Sequence, residues 1–114
     1  MKKHLIVRNI IGNELCNFLH DYLLEKREVL KILTRTKYIS PFAEIHGRLN
    51  GDDQVPNTFL IYGDVVMDLV LLKLLPIIEK KLTLKLVPTV SYTRIYKKGD
   101  VLKKHTDRDA CAVS

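Results

Sequence analysis

Tryptophan is absent from this chain of 114 residues, and cysteine nearly so: Cys16 and Cys111 stand far apart and form no CxxC unit. That spacing excludes the disulfide framework that staples small secreted domains and suits a reducing compartment. Long basic runs are missing as well. Where lysines adjoin they come only as pairs, Lys2-Lys3, Lys80-Lys81, Lys97-Lys98 and Lys103-Lys104, which argues against a dedicated nucleic-acid tail. Long apolar runs are also lacking. Arg8 cuts the N-terminal one short, well below a signal-peptide core. The most apolar stretch, residues 65–78, contains Asp68 and Lys73 and is shorter than a membrane span. The expectation is therefore a cytoplasmic chain with no membrane partner. There is no internal repeat and no low-complexity segment.

The composition belongs to a folded protein: 46% hydrophobic residues and a mean hydropathy of −0.01 exclude a disordered chain. The length suits one small domain, residues 1–114. The net charge of +6 and pI of about 9.4 are compatible with an ordinary solvated surface or with a polyanion-binding one.

Residues 4–8 read as a short strand. Asn13 is a candidate helix N-cap with Glu14 in the first turn. Leu15, Leu19, Tyr22, Leu23, Leu30 and Leu33 then recur at helical spacing, ending near Thr34–Thr36. Ser40-Pro41 and Asn50-Gly51-Asp52-Asp53 mark turns, and residues 58–62 read as a strand or extended segment. Asp64 is an N-cap candidate for a second helix, apolar almost all round and so expected to be buried on more than one side. Pro76 kinks it or starts a new piece. From residue 84 to 96 β-branched and aromatic residues alternate, the signal of a strand. Lys97 to Asp100 is a turn, residues 101–107 a returning segment, and residues 110–114 a further apolar strand. Helices followed by strands predict an α+β fold with helices packed on a sheet.

His105-Thr106-Asp107 carries the sharpest chemical signal. On a strand, residues i and i+2 point the same way, so an imidazole nitrogen and a carboxylate oxygen converge, as two ligands of a 2-His-1-carboxylate iron(II) triad do. Alone the motif is weak, since four His and eight Asp in this length produce it by chance roughly a quarter of the time. Cys16 and His20, four apart, supply two zinc-type ligands, too few for a closed site.

The context is more specific. The stretch Tyr92-Thr-Arg94-Ile-Tyr96-Lys-Lys-Gly99-Asp100-Val-Leu-Lys-Lys-His105-Thr-Asp107-Arg108 resembles the strand–turn–strand of prolyl 4-hydroxylase-like iron(II)- and 2-oxoglutarate-dependent oxygenases. Gln54-Val-Pro56-Asn57-Thr-Phe59, Tyr62-Gly63-Asp64 and Pro88-Thr-Val-Ser-Tyr92 are similar to a microbial and phage-type branch of that superfamily. The resemblance covers residues 54–114 and reaches the first helix only loosely. It implies helical support over about residues 9–82 and the first strands of an incomplete double-stranded β-helix (jelly roll) over about 84–114. It implies a dioxygenase (hydroxylase) using iron(II), 2-oxoglutarate and dioxygen, with His105 and Asp107 as metal ligands and Tyr96 donating to a 2-oxoglutarate carboxylate. Tyr96 also reads as an ordinary cross-strand aromatic. Some family members have an aromatic three residues before the histidine, where this chain has Leu102. The family's second histidine and its basic 2-oxoglutarate anchor lie well downstream of the HxD and have no counterpart after Asp107. The expectation is thus the N-terminal part of such a domain, inactive by itself. The remaining histidines are His4, His20 and His46. Relatives hydroxylate prolyl residues, other protein side chains, nucleobases and small metabolites, and nothing in the sequence selects among these. The competing reading is a non-catalytic basic module that binds nucleic acid or an acidic partner through lysine pairs flanking the Tyr92–Tyr96 strand.

Overall fold

A computed structural model describes residues 4–107 and 113. Among them the elements are α1 (Asn13–Arg35), β1 (Phe59–Tyr62), α2 (Val65–Leu82) and β2 (Tyr92–Ile95). The fold is α+β, as the helices-then-strands order predicts.

Helix α1 forms where the leucine periodicity places it. Gly12, not Asn13, is its N-cap, and no side chain closes that end. Leu19 and Leu30 are its buried residues. Leu30 meets Phe59 and Ile61 of β1 to form the core, flanked by Ile39, Leu49 and Ile95. The antiparallel pairing of β1 with β2 explains this. Phe59 faces Ile95 and Ile61 faces Thr93 across the ladder. Because side chains alternate along a strand, these four share the side turned to α1. Leu60 opposite Arg94 and Tyr62 opposite Tyr92 belong to the other face.

The loop before β1 is tightly folded. Gly51 has a φ of +70°, and a Cβ there would stand 2.3 Å from the Val55 carbonyl oxygen, so only glycine fits. Asp52 Oδ1 accepts from the Gln54 and Val55 amides at 3.1 and 2.9 Å. Thr58 donates to Val55 O at 2.8 Å, and Val55 and Thr58 are fully buried.

Asp64 caps α2 as its position predicts, accepting from the Met67 amide at 3.1 Å. Pro76 lies inside one continuous helix. The expected burial of α2 on several sides is not found: none of its residues is buried, and Val65, Leu69 and Leu72 are exposed. Val66, Met67, Val70, Leu71, Leu74 and Leu75 are half-buried, so the described residues cover this apolar helix only in part.

The expected strands are fewer and differently paired. Residues 4–8 and 84–91 form no strand, and β2 is confined to Tyr92–Ile95. In the segment before it, the Leu86 amide is taken by Glu79 Oε2 at 2.8 Å instead of by a ladder. The turn at 97–100 forms, with the Asp100 amide on Lys97 O at 3.0 Å and the Lys97 amide on Asp100 Oδ2 at 2.6 Å. Residues 101–107 return without pairing: the partner of β2 is β1, and Val101 and Leu102 remain exposed. The strand expected at 110–114 falls outside the described residues, apart from Val113, which is in no regular element. No helix among the described residues is long and apolar enough to cross a membrane.

Candidate metal-ligand pair and its surroundings

His105 and Asp107 come together without the strand that was expected to align them. His105 Nε2 lies 3.3 Å from Asp107 Oδ1. The other ring nitrogen, Nδ1, is 2.8 Å from Lys103 O. A backbone carbonyl only accepts, so Nδ1 carries the proton in that bond and Nε2 is the nitrogen turned to the carboxylate. Two donors of one first-row metal, each bonding at about 2.0–2.2 Å, can keep such a separation. An orienting bond on the far nitrogen is also what metal-binding histidines generally have.

No group of three His, Cys, Asp or Glu that could hold a metal occurs among the described residues. His20 Nδ1 sits 3.4 Å from Asp21 Oδ1 on the exposed side of α1. His46 lines a cleft of about 480 Å³ against Phe18, Tyr22 and Lys26. Cys16 is a free thiol on the exposed surface.

Tyr96 follows β2 directly. It is exposed, with its ring centroid 5.7 Å from the Arg94 guanidinium carbon. Around it lies a network that the motif reading missed. Asp52 Oδ2 accepts from the Tyr92 hydroxyl at 2.5 Å and from Arg94 Nη2, and Nη2 also reaches the Tyr92 oxygen at 2.9 Å. Burial alone would raise the Asp52 carboxyl, but hydrogen bonds from Tyr92, the Val55 amide and Arg94 hold it below the usual carboxylate range. Burial, and then the Asp52 hydrogen bond, push the Tyr92 hydroxyl up. Arg94 Nε and Nη1 are buried with no hydrogen-bond partner. An arginine between two tyrosines of an alternating strand is a legible sign of such a network. Its carboxylate partner, 42 residues away, is not.

A second network joins the two helices. Asp64 accepts from Lys26 Nζ at 2.7 Å and from the Tyr22 hydroxyl at 2.8 and 3.0 Å. Burial opposes ionisation of Asp64, yet Lys26, Tyr22 and the Met67 amide together keep its carboxyl low. Desolvation would lower Lys26, and Asp64 and Tyr22 more than reverse it. Asp68 completes the set by accepting from the Ser91 hydroxyl at 2.5 Å, which ties α2 to the residue before β2.

Comparison of the chain with protein-family models, curated proteins and solved structures finds no match. The site must therefore be judged on its own geometry and donor chemistry.

Proposed function

We propose that His105 and Asp107 are two protein ligands of a non-haem iron(II) centre in a 2-oxoglutarate-dependent oxygenase of the prolyl 4-hydroxylase-like kind. In this reading β2 belongs to the first strands of its double-stranded β-helix. The observation that carries the proposal is the convergence of Nε2 and Oδ1 at 3.3 Å with Nδ1 already engaged by Lys103 O. One imidazole and one carboxylate suit a first-row divalent metal and are the start of a facial triad. Bound iron(II) supplies the redox and Lewis-acid chemistry at which 2-oxoglutarate and dioxygen meet for hydroxylation. The chain's residues have simpler tasks. Lys103 O holds the imidazole in one tautomer, and Asp107 contributes negative charge to the cation. The exposed Tyr96 hydroxyl offers a donor to a cosubstrate carboxylate. With two donors and no third cluster partner among the described residues, the chain alone binds metal weakly and turns over little.

Manganese(II), a spectroscopic stand-in, tests the pair directly. Added below stoichiometry, it should broaden the NMR signals of His105 and Asp107 before those of His4, His20 and His46. Either His105→Ala or Asp107→Ala should abolish that preference. Uniform broadening over all four histidines, or unchanged binding in either variant, would remove the metal reading. Brisk 2-oxoglutarate-dependent succinate release by these 114 residues would contradict the expected inactivity.

A further inference from the structure

The two faces of the sheet differ in chemistry. One is the core side of Phe59 and Ile61. The other carries Tyr62 and Tyr92 directly opposite each other, with Arg94 and Tyr96 following at the same phase of the strand. The three tyrosines are 49%, 45% and 48% exposed as residues, so each is about half open to solvent. They are also held in place. Tyr62 and Tyr92 meet edge to face, centroids 5.4 Å apart at 83°. The Arg94 guanidinium carbon lies 5.5 Å from the Tyr92 centroid and 5.7 Å from that of Tyr96. Its side chain is 6% exposed and paired with Asp52, so Arg94 works as a strut between the rings.

Cationic side chains follow in the chain. Lys98, Lys103 and Lys104 are exposed, and none of the three ammonium groups has an acidic partner among the described residues. Fixed, half-open aromatic rings followed by uncompensated lysines suit a ligand that presents both flat π faces and regular negative charge. An acidic peptide would use the lysines and leave the rings without a role. A duplex hides its base faces. A single strand offers both groups, its bases to the rings and its phosphates to the ammoniums.

We infer that the face of Tyr62, Tyr92 and Tyr96, with Lys98, Lys103 and Lys104, binds single-stranded nucleic acid. The composition argued against a basic tail. The tertiary structure supplies an aromatic surface in its place. This inference does not rest on the iron reading.

The test is fluorescence anisotropy of a labelled oligothymidylate of about ten nucleotides over a range of salt, with the full chain. Binding should weaken with salt. Tyr96→Ala and Tyr62→Ala should each reduce affinity on the order of tenfold, while Tyr96→Phe, which keeps the ring, should match the parent. Charge reversal at the three lysines, all on the surface, should lower the slope of log affinity against log salt by about 2. His105→Ala should change nothing, which separates this site from the metal pair. No binding at low salt would overturn the inference. So would equal affinity in folded Tyr→Ala variants, or competition by polyglutamate as effective as that by unlabelled oligothymidylate.

Discussion

The two helices invert the usual relation between hydropathy and burial. Helix α1 is the more polar, yet Leu19 and Leu30 are buried and Leu30 sits in the core. Helix α2 is apolar nearly all round, yet it has no fully buried residue and its apolar side chains are at most half-buried. The first meets β1 through an apolar contact. The second is fastened by polar groups: Asp64 to Lys26 and Tyr22, Asp68 to Ser91, Glu79 to the Leu86 amide. Burial requires a partner surface at the right distance, and apolar side chains alone do not create one. Directional, charge-dependent contacts therefore add to the partial burial of α2, and α1 shares one of them through Lys26 and Tyr22 while also placing Leu30 in the core.

Truncation should expose that contrast most strongly. Leu30→Ala is expected to cost about 2–5 kcal/mol because it empties the core against Phe59 and Ile61. Leu72→Ala, on the exposed side of α2, should stay within about 0.5 kcal/mol. Denaturant unfolding of both variants reads the difference, and equal losses would mean that α2 is packed in solution.

A smaller effect probes the polar fastening. Asp64→Asn keeps a capping residue but removes the charge facing Lys26, at a cost of about 2 kcal/mol. The pH dependence has a definite sign. The Asp64 carboxyl is lower in the folded chain, so its contribution is complete above about pH 4 and is lost as pH falls through the folded-state value. The variant should show a flatter acid limb, with the part due to Asp52 remaining. An unchanged acid limb would show that Lys26 and Asp64 are solvated separately.

The smallest effect concerns the end of α2, where Thr83 is the C-cap with a φ of +55°. A β-branched residue is strained in that left-handed conformation. Thr83→Gly should stabilise the chain by about 1 kcal/mol, seen as a higher midpoint on thermal unfolding. A lower midpoint would mean that the Thr83 side chain makes contacts worth more than the strain.

Much of the local structure was legible. The leucine spacing located α1 almost to the residue, Asp64 announced the start of α2, and the Lys97–Asp100 turn forms as its residues require. The HxD spacing also put an imidazole and a carboxylate side by side. The reasons for that convergence were only partly legible: alternation on a strand was expected, and a Lys103 carbonyl holding the ring is found. Strand pairing was not legible. Period-two alternation over residues 84–96 gave the right kind of element but not its length or its partner, because a ladder depends on which edge is free.

Composition and spacing by themselves determined the α+β class, both helices and the capping aspartate, because each depends on neighbours within a few residues. Only the tertiary structure decided that β2 pairs with β1, that Asp52 clamps Arg94 between two tyrosines, that three half-exposed tyrosines share one face, and that the most apolar helix keeps no fully buried residue. Those outcomes join residues about 30 to 40 positions apart, and nothing in a one-dimensional pattern encodes which distant surfaces will meet.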